Sequence, residues 1–128
     1  MIKNLFESQH YATEQTIVNQ LSEADAIVVA KFAKFKIISL AGQAGNVGGG
    51  IWGNPNVYLK ISDNRNGNWY DNWIRWANII GTAERPFYLP VPVYVLKFDK
   101  IYVKFINQDP AGGAIGRLQI NFNGSEVK

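Results

Sequence analysis

Short runs in which apolar and polar side chains alternate, each closed off by glycine, asparagine or proline, dominate this chain of 128 residues. A period of two belongs to an extended strand with one buried face, because successive side chains point to opposite sides of the pleat. The clearest runs are Val57, Leu59 and Ile61, then Ile101, Val103 and Phe105, then Leu118, Ile120 and Phe122. Seven or so such strands, about 8 to 15 residues apart, predict an all-β chain: an antiparallel β-sandwich of jelly-roll-like form. The length fits one domain, and 47% apolar and 13% aromatic residues supply its core. The expected organisation is an N-terminal arm over residues 1–12 and a single β-sandwich domain over 13–128.

The first block, residues 13–40, is ambiguous, since Thr13 fits a helix N-cap. The consecutive β-branched residues Ile27, Val28 and Val29 argue against a helix, and so does the lack of one apolar stripe at helical spacing. Residues 16–21 and 26–40 therefore read as strands, with 22–25 as the turn between them. Five glycines in residues 41–50 indicate a flexible loop or a bulged crossing between sheets, ordered against partners. Asn66-Gly67 is a strong hairpin signal, predicting a type I′ turn before a returning strand over 69–76. On that strand Trp69, Asp71, Trp73 and Arg75 would share one face. Pro90 and Pro92 lack an N–H and mark an edge strand, while Val91, Val93 and Val95 keep the alternation. Residues 98–100 read as a turn, 101–106 as a strand, 107–113 as a turn and 116–123 as the last strand.

Composition excludes much chemistry. There is no cysteine and a single histidine, so thiolate zinc sites, disulfides, cysteine nucleophiles and histidine triads lack members. His10 receives no role. The carboxylates stand singly, and an enzyme would need two or more of Asp63, Asp71, Glu84 and His10 gathered in one cleft. Residues 63–71 resemble a calcium loop, but Arg65 and Ile74 occupy positions where oxygen donors are required, so a polar hairpin tip fits better. No catalytic residue, metal ligand or cofactor is expected. The net charge of +3 is too small to demand nucleic acid, and Lys31, Lys34 and Lys36 beside Phe32 and Phe35 read as a solvated strand face. No run of eighteen apolar residues and no secretory leader occurs, which predicts a chain made in the cytoplasm without a membrane span.

The remaining concentration is aromatic: four tryptophans and two tyrosines between Trp52 and Trp76, interleaved with asparagines. Core packing, an interface with another protein and stacking on sugar rings all use such side chains. Trp52, Trp69, Tyr70 and Trp73 are the candidate contacts to a partner or glycan.

The order of segments resembles the small β-sandwich structural proteins of bacteriophage virions, found on capsids, vertices and fibres. The resemblance spans roughly residues 12–124. It rests on the Ala24-Asp25-Ala26-Ile27-Val28-Val29 strand, the V-x-L-x-I strand from Val57, the G-T-A-E-R-P-F-Y-L-P run of residues 81–90, the I-x-V-x-F-I-N strand from Ile101, and a last strand ending in Asn123-Gly124. The glycine-rich stretch and the dense tryptophans depart from that pattern. The resemblance implies a non-enzymatic virion component, made in the host cytoplasm, that self-associates as a trimer or pentamer and contacts other virion proteins. Pro90, Pro92, Lys97, Lys100 and Lys104 would then block free sheet edges. The rival expectation is a small lectin-like module that binds surface glycans for attachment.

Overall fold

In a computed structural model, the described residues are 9–13, 16–18, 23–46, 56–82, 84–108 and 116–127. They form ten strands and one short helix: β1 (Gln9–Ala12), β2 (Thr16–Val18), β3 (Glu23–Val29), β4 (Lys34–Asn46), β5 (Val57–Asp63), β6 (Gly67–Asn68), β7 (Ile74–Arg75), α1 (Trp76–Ile79), β8 (Phe87–Leu96), β9 (Lys100–Asn107) and β10 (Gly116–Glu126). Two antiparallel sheets pack face to face as a β-sandwich. The first has the order β1-β10-β4-β8, with β2 continuing the edge of β10 beyond β1; the second has the order β3-β9-β5-β6, with β7 beside β6 on the outer edge of β5. The pairs are nested: β5 with β6 and β7, β4 with β8, β3 with β9, and β1 and β2 with β10.

The period-two runs place the core. Phe35, Ile37, Leu40, Leu118, Ile120 and Phe122 point inward from the first sheet, and Val57, Leu59, Ile61, Ile101, Val103 and Phe105 from the second. All twelve are essentially without solvent contact. Burial of such side chains contributes roughly 1.5–3 kcal/mol each before chain entropy is set against it, so these two layers dominate the stability of the fold.

Several elements differ from the sequence expectation. The single strand expected over 26–40 is two strands in different sheets, joined by a corner at residues 30–33. The corner's N–H groups find side-chain and cross-sheet acceptors: Lys31 and Phe32 each donate to the Tyr11 hydroxyl at 2.8 Å, and Ala30 donates to the Asp99 carbonyl at 2.8 Å. Tyr11 is itself buried, its ring 4.8 Å edge-on from Phe35 and 5.6 Å from Phe32. Thus Gln9–Ala12, placed by sequence in the arm, is a strand paired with β10. The turn expected at 22–25 lies partly in β3, where Glu23, Ala24 and Asp25 pair with Ile106, Phe105 and Lys104. Of the strand expected over 16–21, Thr16–Val18 is β2, and the rest lies outside the described residues.

The glycine-rich stretch is the largest correction. Residues 41–46 continue β4, in register with β10 from Ala41↔Asn121 to Asn46↔Gly116; 47–50 lie outside the described residues. Glycine is needed here for close approach. A Cβ on Gly42 would stand 2.6 Å from the Gln119 carbonyl oxygen, 2.8 Å from Ile80 and 3.0 Å from Trp76. Losing that atom lets α1 lie directly on β4, where Gly42 N–H donates to Gly81 at 2.9 Å and Gly81 N–H to Leu40 at 3.2 Å.

The returning strand expected over 69–76 is also broken. Of the returning segment, β6 and β7 pair with β5, and residues 69–73 bend away between them. The turn before β6 is not type I′: Gly67 has φ 78°, whereas Asn66 does not take positive φ. The expected turn at 98–100 is set one residue earlier, at Lys97 and Phe98, with Lys100 already in β9. Phe98, at φ 73°, is the one non-glycine residue with positive φ among the described residues.

Pro90 and Pro92 do lie on an edge strand, β8. Its pairing with β4 jumps from Ile37↔Val93 to Ser39↔Tyr88, so the proline segment bulges out of the ladder. The alternation of Val91, Val93 and Val95 does not survive as one buried face: Val95 is core, whereas Val91 is 73% exposed.

One polar residue stitches the far edge. Between β1 and β2, Thr13 is buried and its hydroxyl accepts the Ile120 N–H at 3.0 Å, while its own N–H donates to the Ile120 carbonyl at 3.0 Å. Thr13→Val keeps the shape but strands the Ile120 N–H, and a loss of about 1–3 kcal/mol is expected by chemical denaturation. Gly42→Ala is expected to lose a comparable amount, about 1–3 kcal/mol, by forcing α1 off β4.

Candidate functional site

The aromatic segment after β6 divides into structural and available side chains. Trp69 belongs to a turn network. Its indole N–H donates to Asp63 Oδ2 at 2.7 Å, and its ring meets Phe122 of the opposite sheet edge-on at 5.8 Å. Asp63 is buried and also accepts the Arg65 N–H at 2.8 Å and both the Asn66 N–H and side-chain amide. This is the carboxylate cap of a polar turn, and its oxygens are occupied by local donors.

A second buried carboxylate ties that turn to the β8–β9 turn. Asp99 accepts from Arg65 Nε at 2.7 Å and Nη2 at 3.1 Å, and from the Leu96 N–H at 2.8 Å. Asn64 completes the link by accepting the Lys100 N–H at 2.8 Å. The bond from Arg65 is the main reason the Asp99 carboxyl sits below its usual pKa, with the Leu96 N–H acting the same way against burial. The same bond raises Arg65. Of the four residues of which an enzyme would need two or more together, Asp63 is held in this network, Asp71 and Glu84 are exposed, and the side chain of His10 is outside the described residues. Among the described residues no group of three or more His, Asp or Glu is placed to hold a metal ion.

Beyond Trp69 the broken strand opens a groove of about 470 Å³. Tyr58 reaches it from the outer face of β5, Tyr70 and Trp73 from the bend, Ile74 and Arg75 from β7, Asn78 and Ile79 from α1, and Phe87 from the start of β8. Tyr70 and Trp73 are half-buried, and the Lys60 ammonium lies 5.0 Å over the Trp73 ring. Burial pushes the Tyr70 hydroxyl pKa up, which keeps it protonated as a hydrogen-bond donor. The groove therefore offers ring faces together with donors from Tyr70, Arg75 and Asn78, the elements of a recognition site.

Of the four candidate contacts, the structure brings Tyr70 and Trp73 together, uses Trp69 in the turn network, and leaves Trp52 outside the described residues. Trp76 is core, 6.4 Å from Phe105. Sequence reasoning did not find Tyr58, Arg75, Asn78 or Phe87. Tyr58 and Arg75 meet because β5 and β7 pair at that position.

Exposed apolar side chains form two further surfaces. Ile27, Val29 and Tyr102 lie on the outer face of the second sheet, where Ile27 pairs with Tyr102. Ile38, Tyr88, Val91 and Tyr94 lie along β4 and β8 of the first. No helix among the described residues is long and apolar enough to cross a membrane.

The Asp99 network gives a pH dependence of definite sign. Its folded pKa lies below the unfolded one, so its stabilising contribution is complete above the ordinary aspartate value of about 4 and is lost as pH falls through the folded value. Thermal melts from neutral pH down to about pH 3 are expected to show Asp99→Asn with a lower Tm than the native protein at neutral pH and a gap that narrows in acid.

Compared with models of known families the chain matches none, and no curated protein matches it either.

Proposed function

We propose that this chain is a non-enzymatic structural component of a phage virion, assembling through symmetric self-association and contacts with capsid proteins. The observation that carries the reading is the pair of exposed apolar surfaces on opposite sheets, Ile27, Val29 and Tyr102 on one and Ile38, Tyr88, Val91 and Tyr94 on the other. Two different patches on opposite faces suit a head-to-tail contact, in which one patch of each copy covers the other patch of the next, and such contacts close into rings when the rotation allows. A trimer or a pentamer is the ring expected. The finer jelly-roll assignment belongs to the same reading and is supported by the nested strand pairs. The buried carboxylates, Asp63 and Asp99, serve turns, which suits a scaffold. The place of action under this reading is the particle itself, after synthesis in the host cytoplasm.

A second reading, a carbohydrate-binding module used in attachment, is favoured by one specific observation: the groove where Tyr58, Tyr70 and Trp73 present rings beside hydrogen-bond donors. Rings of this kind stack on the apolar faces of sugars while the donors engage hydroxyls.

Light scattering and native mass spectrometry over a range of concentrations test the assembly reading. A closed trimer or pentamer is expected, with Ile27→Asp weakening it about tenfold or more; a monomer at every concentration overturns it. On a glycan array, the second reading expects binding that Trp73→Ala abolishes, and an array without any bound glycan overturns that reading.

A further inference from the structure

The groove contains one cation that the fold leaves without a partner. Arg75 lines it from β7, and its Nε is buried with no hydrogen-bond partner. No ion pair reaches the guanidinium among the described residues; the salt bridge there is Arg65 with Asp99. Asp71, the acid of the adjoining segment, is exposed and does not pair with it. A guanidinium stays charged at any physiological pH, and withdrawing its Nε–H from water without an acceptor is unfavourable. Buried polar atoms of this kind are rare in native folds and call for an explanation. Lys60, over the Trp73 ring and opposite Lys104 on β9, adds further positive charge on this side.

We infer that the groove binds the carboxylate-bearing residue of an acidic saccharide, a uronic or sialic acid, with the Arg75 guanidinium as the partner of the carboxylate. The inference rests on the carbohydrate reading of this groove and names its ligand class. The planar fork of arginine matches a carboxylate through two parallel N–H donors. The rings of Tyr58, Tyr70, Trp73 and Phe87 supply stacking faces for the pyranose, and the Asn78 amide supplies a hydroxyl contact. A carboxylate fits better than a phosphate. Phosphate sites gather several backbone N–H groups at a glycine-rich turn or the start of a long helix, whereas here α1 has four residues and the cation is a single arginine side chain.

The experiment titrates the folded protein, by NMR chemical shifts of the tryptophan indoles, with methyl glucuronide and sialyllactose, with methyl glucoside and lactose as neutral counterparts, and with AMP. Native protein is expected to bind the acidic sugars in preference to the neutral ones. Arg75→Gln is expected to weaken the acidic sugars about tenfold or more and leave neutral binding unchanged. Arg75→Lys, which keeps the charge without the fork, is expected to fall between them. An unchanged amide spectrum away from the groove shows that each variant is folded. Equal binding of acidic and neutral sugars, insensitive to both variants, overturns the acidic inference and leaves the carbohydrate reading standing. Absence of any sugar binding, or binding of AMP alone, overturns both.

Discussion

Everything in this fold depends on keeping the inward face of each strand in phase while the chain passes back and forth between two sheets. Nested pairing places strands from both ends of the chain side by side, so β1 and β2 lie on β10, and β3 on β9. A slip of one residue anywhere would turn a strand's apolar set toward water. The molecule absorbs mismatches at two bulges. One lies where β10 steps from Asn123↔Ser39 to Gly124↔Ile37, and the other where the Pro90–Pro92 segment leaves the β4 ladder. Each restores the phase of the strand beyond it, which is how Phe35 and Ile37 on one side of Ile38, and Leu40 on the other, all reach the same core.

Corners between sheets and turns within them impose a second demand, since backbone N–H groups leaving one ladder need acceptors before they join the next. Three buried side chains meet it. The Tyr11 hydroxyl takes two N–H groups at the β3–β4 corner, Asp63 caps the β5–β6 turn, and Asp99 gathers the β8–β9 turn and, through Arg65, joins it to the first. These polar residues are buried because the turns need them, and their hydrogen bonding accounts for their presence without invoking chemistry on a substrate.

The groove is a consequence of the same geometry. Trp69 is drawn toward the core by Asp63 and Phe122, while Trp76 is held in the core beside Phe105 and over Gly42. The six residues between those two anchors cannot run as a straight strand, so Tyr70 and Trp73 are left on an outward bend facing Tyr58. The candidate contacts Tyr70 and Trp73 thus sit on a segment fixed at both ends, an arrangement that proteins use for binding on a rigid scaffold. The acidic-sugar reading and the assembly reading concern different surfaces of one molecule.

Local pattern was enough to establish the all-β class, strands over 57–62 and 101–106, the inward set Leu118, Ile120 and Phe122, and the edge position of the proline strand, because period-two burial and the missing proline N–H are properties of the chain itself. Tertiary contacts decided the rest. Glycines 42 and 45 read as a loop by propensity, yet lie in β4 because β10 supplies a ladder and α1 needs the space a side chain would fill. The 26–40 run divides because Tyr11, some twenty residues upstream, supplies acceptors for a corner no local signal marks. Tyr58 and Arg75 become neighbours only through strand pairing. Alternation is written in the order of residues, whereas the partners that satisfy a bent backbone, or leave a guanidinium unsatisfied, come from distant parts of the chain and exist only once it has folded.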